Sequence, residues 1–260
     1  MQTAVLLLAI SASIHEGDVQ AFVSLTDPKG AVLADGRYAQ KMEGDTLRIK
    51  ARYDFPDGRV VEEEAVVRMR PAIEQKSWDW TEKKDGAVLR AFSADFASGV
   101  ARGRKGKDSW NEKLEIHPGK TFAGIAFVLA VKNLHALVPV GKSFELEAIA
   151  FTPKPRTAGI ELRHDGPQRI RMAGRTVPAD AWTLHPEVPA IAKLFVKVPD
   201  QHVWLSSDQP VSFLGFEGPL AEPGDPVIRI ETIPSAPAAR AKSPAARRPK
   251  QQRPPAPPAR

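Results

Sequence analysis

The chain has 260 residues, 42% hydrophobic and 26% charged, and no cysteine. That composition is ordinary for a globular protein, and the missing thiols exclude disulfides, thiolate zinc sites and a cysteine nucleophile. The formal charge of +6 comes from residues 234–260, which hold eight Pro, eight Ala and seven Lys or Arg with no acid beyond Glu231, while the rest of the chain sets 30 basic against 31 acidic groups.

Residues 1–17 come first. Ala4–Ile10 reads as the apolar core of a signal peptide, with Ser11-Ala12-Ser13 as the small residues of a cleavage site. It lacks a basic n-region, and the same run also reads as a first β-strand. The signal-peptide reading places the protein in the periplasm or secretes it.

Period-two alternation then dominates. Val19–Leu25 and Gly36–Met42 are predicted strands. In Leu47–Phe55 every odd position is apolar and every even one charged, which gives one dry and one wet face. Pro56-Asp57-Gly58 supplies a turn, because proline fixes φ and glycine permits positive φ. Val61–Met69 returns with Val61, Ala65, Val67 and Met69 on one face, interrupted by Glu63. An antiparallel hairpin is predicted. Further strands are predicted at Lys76–Glu82, Val88–Phe92, Trp110–Ile116, Phe144–Phe151, Ile160–Arg163, Arg169–Met172, Val203–Ser206, Ser212–Glu217 and Val227–Thr232. Turns at Lys84–Gly86, His164–Pro167 and Gly224–Pro226 separate some of them.

Two segments depart from this pattern. Thr121–Leu137 has helical length, with Pro139 just beyond its end, and is apolar nearly all round its first two turns, so it should be buried. Val188–Val196 carries Pro189 in the position suited to the first turn of a short helix. The longest apolar run, Phe122–Val131, is about half the 18–20 residues that cross a bilayer. The fold class is therefore mainly β: a large curved antiparallel sheet or half-barrel packed over one buried helix. Residues 18–233 form a single β-rich domain, and 234–260 form a disordered basic tail whose Ala, Pro, Arg and Lys side chains bury too little to offset the entropy of ordering them.

The search for chemistry excludes more than it finds. Gly119-Lys120-Thr121 is the end of a phosphate-loop pattern, but its first glycine position is Leu114, and Pro118 lacks the N–H that would cradle a phosphate. The six histidines form neither H-E-x-x-H nor H-x-H, and G-x-S-x-G is absent, so no catalytic set, metal site or cofactor is expected. Glu62 and Glu64 share the wet face and should meet Arg48, Lys50 and Arg52. Arg102, Arg104, Lys105 and Lys107 form a compact basic loop, read either as a charged hairpin tip or as an anion contact. No aromatic lies within that loop, which argues against single-stranded nucleic acid. Trp78 and Trp80, two apart, share a sheet face; with Trp110, Phe122 and Phe127 they form either plain core or the lining of an apolar cavity.

The second half of the chain, with its helix, Gly141-Lys142, Asp165-Gly166, Arg175–Asp180, Val203-Trp204-Leu205 and Phe213–Pro219, resembles a family of uncharacterised bacterial envelope proteins classed as domains of unknown function. These are similar in design to the outer-membrane lipoprotein carriers. The resemblance covers residues 18–232 and implies a curved antiparallel half-barrel over helices, with no catalytic set to transfer. This chain has Val-Pro-Ala-Asp at 177–180 where such families often have a Pro-Ala-Gly turn. The expected function is a non-catalytic envelope protein that holds a hydrophobic or lipid-like ligand. The alternative is an interaction module that docks on an anionic membrane through residues 234–260. A continuous cavity favours the first and a filled core the second.

Overall fold

The computed structural model describes residues 16–172, 174–187 and 198–232. The predicted leader up to residue 15, the short helix at Val188–Val196 and the tail lie outside the described residues.

Two antiparallel meanders build one 15-stranded sheet. The first comprises β1 (Val19–Thr26), β2 (Val32–Glu43), β3 (Thr46–Asp54), β4 (Arg59–Arg68), β5 (Glu74–Lys84), β6 (Ala87–Asp95), β7 (Val100–Lys105) and β8 (Asp108–Lys113). A two-residue strand, β9 (Thr121–Phe122), and the helix α1 (Ala126–Leu134) follow. The second meander comprises β10 (Ser143–Ala150), β11 (Arg156–Met172), β12 (Arg175–Pro186), β13 (Gln201–Leu205), β14 (Phe213–Pro219) and β15 (Val227–Thr232). The sheet order is β8-β7-β6-β5-β4-β3-β2-β1-β15-β14-β13-β12-β11-β10-β9, so the first and last strands join the two meanders. Among the described residues only β9 runs parallel to its neighbour, β10. The predicted hairpin is β3–β4, with Leu47 opposite Val67 and Tyr53 opposite Val61.

The sheet is strongly curved. β5 and β10 stand ten places apart in its order, about 48 Å if the sheet were flat. Yet the rings of Trp78 on β5 and Phe151, just past β10, lie 5.5 Å apart, and those of Phe92 on β6 and Phe151 lie 4.7 Å apart. The inward face of this curl is the core, and α1 lies in it with Ala126, Leu129, Ala130, Val131 and Leu134 buried.

Polar side chains fasten the helix to the sheet. The Gln75 side chain accepts from the Ala123 N–H at 2.7 Å and donates to the Ala123 carbonyl at 3.1 Å. An irregularity between Val66 and Val67 lets Gln75 turn inward. Glu63, the acid that interrupted the apolar face of β4, accepts from Trp78 Nε1 and from the Ile125 N–H, each at 2.7 Å. It thereby places a carboxylate at the positive end of α1. Burial pushes this carboxyl above its ordinary range, and the two hydrogen bonds pull the other way. At the far end Lys132 pairs with Glu16.

Three sequence expectations are corrected. The helix is shorter than Thr121–Leu137, because Thr121–Phe122 pairs with β10 and Gly124 has φ +54°, outside helical space. The predicted turn at His164–Pro167 lies within β11, which continues through it with a bulge between His164 and Gly166. Arg175–Pro186 is a full strand that its Pro178 concealed.

Candidate functional site

Four of the five aromatics singled out in the sequence, Trp78, Trp80, Phe122 and Phe127, belong to the core or pack against it, and Trp110 lies on β8 near the edge of the sheet. Trp78, Trp80 and Phe122 are buried, and Trp110 and Phe127 half-buried. Trp80 stacks on Phe92 at 5.3 Å, Phe92 meets Phe151, and Phe151 meets Trp78. Phe122 meets Phe127 at 5.9 Å, and Trp110 packs over Gly103, where an added Cβ would lie 3.2 Å from its ring. None of the five lines the larger of the two described grooves.

The basic residues are likewise redistributed. Arg102, Arg104 and Lys105 lie on β7, paired with both β6 and β8, so only Gly106-Lys107 forms the hairpin tip. Lys105 Nζ binds Glu222 Oε1 at 2.8 Å, while Arg102 and Arg104 point outward and are exposed. The four cations are not one concentrated loop. Lys120, from the incomplete phosphate-loop pattern, lies 3.5 Å from Glu147.

Opposite the core, on the outer face of β1–β5, runs a groove of about 790 Å³. Two cross-strand rows of outward side chains form it. One row is Phe22, Arg37, Arg52, Glu62 and Thr81, and the other is Gln20, Ala39, Lys50, Glu64 and Asp79. Arg52 binds Glu62 at 2.8 Å and Lys50 binds Glu64 at 3.0 Å, as the alternation predicted, whereas Arg48 turns to Glu43 at 3.3 Å. Arg37 has no ion-pair partner among the described residues, although it stands directly opposite Arg52. Arg52 is held by Asp54 as well as by Glu62, each at 2.8 Å, so Arg37 is the cation of this row without a counter-charge among the described residues. Beside Arg37, Phe22 leaves 72% of its surface in solvent. Burial, followed by the charge of Glu64, raises the Asp79 carboxyl at the other end of the second row.

A second cluster was not visible in the sequence. His135 at the C-terminal end of α1, His164 on β11 and Asp180 on β12 converge. His164 Nε2 lies 3.3 Å from Asp180 Oδ1, and His135 Nε2 lies 3.8 Å from Asp180 Oδ2. His164 is held on all sides: its N–H donates to the Lys142 carbonyl at 3.0 Å, its carbonyl accepts from Gly141 at 2.7 Å, and its Nδ1 donates to the Val138 carbonyl at 2.7 Å. The fully buried Trp182, its partner in register, stacks on it at 4.4 Å with the planes 3° apart. Burial lowers the basicity of the His135 imidazole, Asp180 opposes that shift, and His164 reinforces it. The bulge in β11 and the turn after α1 bring these residues together, and neither leaves a short-range spacing.

No family model matches the sequence. No curated protein matches it. Among solved structures it is similar to a beta-barrel-like protein of a domain of unknown function, DUF1849, from Brucella abortus, at 11% identity and a TM-score of 0.47 over 85% of this chain and 98% of that one. It is also similar to the hypothetical lipoprotein YmcC from Escherichia coli, at 10% identity and a TM-score of 0.35 over 84% of each chain. Likeness at this level carries neither ligand nor partner to this chain. Among the described residues no helix is long and apolar enough to cross a membrane.

Proposed function

We propose that this is a non-catalytic binding protein of the bacterial envelope, which holds a lipid-like anionic amphiphile in the groove on the outer face of β1–β5. The observation that carries this reading is the juxtaposition of Phe22, 72% exposed, with Arg37, a cation without an ion-pair partner among the described residues, at the side of a groove of about 790 Å³. An acyl chain covers Phe22 and Ala39, and its anionic head pairs with Arg37. The apolar run Ala4–Ile10 with Ser11-Ala12-Ser13 supports placement in the envelope. Full burial of a phenylalanine is worth about 1.5–3 kcal/mol, so covering the exposed part of Phe22 contributes about 1–2 kcal/mol, or roughly 5–30-fold in affinity.

Isothermal calorimetry with decanoate and with uncharged decanol tests this. Decanoate should bind more tightly than decanol, and Phe22→Ser and Arg37→Gln should each weaken it while the circular-dichroism spectrum holds. Decanoate binding that ignores both substitutions, or no binding, refutes the reading.

A second reading rests on the seven cations and no acids of residues 234–260. Each basic residue near an anionic membrane is worth about 1 kcal/mol, so the segment docks the protein on such a surface through charge, and docking weakens as salt is raised.

A further inference from the structure

We infer that His135, His164 and Asp180 form a binding site for one divalent transition-metal ion of the zinc type. The inference starts from the proton on His164. A carbonyl oxygen only accepts, so the 2.7 Å bond to Val138 fixes the proton of a neutral ring on Nδ1. That leaves the lone pair of Nε2 pointed at Asp180 Oδ1, 3.3 Å away, and both atoms are then acceptors. Two acceptors face each other at this distance when a cation sits between them. A backbone carbonyl holding one imidazole nitrogen while the other faces the metal is the usual outer-shell arrangement of a ligating histidine.

The rest of the cluster fits the same ion. Ligand atoms about 2.0–2.1 Å from zinc stand about 3.3–3.4 Å from one another in a tetrahedron. Here His164 Nε2 lies 3.3 Å from Asp180 Oδ1 and His135 Nε2 lies 3.8 Å from Oδ2 of the same carboxylate, and one ligand atom from each of the three residues lies within 4.8 Å of the others. Small side-chain movements therefore complete the coordination. Among the described residues the carboxylate of Asp180 meets no lysine or arginine; its ion-pair partners are the two imidazoles. The C-terminal end of α1, where His135 sits, adds partial negative charge.

Two further observations are independent of the distances. His135 Nδ1 and Trp182 Nε1 are buried with no hydrogen-bond partner among the described residues. Trp182 is 0% exposed, and its ring stacks on His164. Buried polar groups are normally satisfied, and orphans of this kind mark a missing ligand or water. Three protein ligands leave the fourth position of a tetrahedral ion to an outside molecule, and the indole N–H of Trp182 is a donor beside the cluster. The ion would tie the end of α1 to β11 and β12.

The test uses the full chain, stripped with a chelator and titrated with Zn²⁺ by calorimetry and with Co²⁺ by visible absorption. The expected result is one ion per chain and a melting temperature that rises with zinc. Asp180→Asn, which preserves shape, and His135→Ala should each weaken zinc by about 10–100-fold or more. His117→Gln combined with His185→Gln, at histidines outside the cluster, should leave it unchanged. Asp180→Asn carries the test if His135→Ala does not fold. The inference is overturned if no ion binds at millimolar concentration, or if binding survives both ligand substitutions. It is also overturned if ¹⁵N spectra show His164 protonated on both nitrogens and unaltered by zinc, which would make a proton the bridging cation.

Discussion

Replacing Arg90 with methionine tests how the curled sheet is held shut. Its Nε binds Glu82 Oε2 at 2.7 Å, and its Nη1 reaches both oxygens of Asp225 at 2.9 Å and Glu222 Oε2 at 3.1 Å. Its guanidinium also lies 5.1 Å from the Trp80 ring. Positions 90 and 225 are far apart in the chain, so this one side chain joins the first meander to the loop between β14 and β15. Glu82 and Glu222 are 6% and 7% exposed, so losing Arg90 strands charge away from water. Breaking a buried pair from one side costs about 3–5 kcal/mol. Here Arg59 still holds Glu82 at 3.1 Å, and Lys105 and Thr152 still hold Glu222 at 2.8 and 2.6 Å. The discounted cost is about 2–4 kcal/mol, or roughly 4–16 °C in melting temperature for a domain of this size. Thermal unfolding followed by circular dichroism at pH 7 reads it. Removing one acid as well, in Arg90→Met with Glu222→Gln, should recover part of the loss. A single substitution that melts within about 2 °C of the wild type refutes the claim that this cluster closes the fold.

Other outcomes follow from the same structure. Because burial raises the Glu63 carboxyl in the fold, its contribution to stability is fully present below the unfolded value near 4.5 and is lost as pH rises through the folded value. Glu63→Gln should therefore gain on the wild type in melting temperature between pH 5 and 8; a pH-independent difference would contradict this. Glu63→Leu removes the acceptor for two N–H groups and should cost about 1–3 kcal/mol for each one stranded, measured by urea unfolding. At Gly166, φ is +89° and an added Cβ would lie 2.6 Å from Val140 Cγ1, so Gly166→Ala should lower the melting temperature and loosen His164 beside it. A chain ending at Ile233 should melt within a few degrees of the full chain and sediment less with anionic vesicles at low salt.

Sheet and site were legible to different depths. Strict alternation exposed β3 and β4 together with their pairing, because a half-buried hairpin writes its dry face into every second residue. β7 was hidden because Gly103 supplies no apolar side chain at its central inward position, and the cations around it looked like a loop. β11 was cut in two because Asp165-Gly166 has the chemistry of a turn as well as of a bulge. The Trp78 and Trp80 face was read correctly as one face, but periodicity cannot distinguish a filled interior from a hollow one. Volume and curvature decide that, and here Phe92 and Phe151 occupy the space against those rings. The outer groove was half-legible: Lys50, Arg52, Glu62 and Glu64 were placed on the wet face, but the opposition of Arg37 to Arg52 depends on the β2–β3 register. The histidine cluster was not legible at all, since His135, His164 and Asp180 belong to separate elements that meet only when the sheet curls over the helix end.

The most direct test of the central claim, an outer groove over a solid core, is a decanoate titration of the isotopically labelled protein followed by NMR. The account predicts shifts concentrated at Phe22, Arg37, Ala39, Lys50 and Arg52, with the indole signals of Trp78 and Trp80 unmoved. Shifts centred on Trp78, Trp80 and Phe122 would contradict it, because they would show the amphiphile entering beneath the sheet.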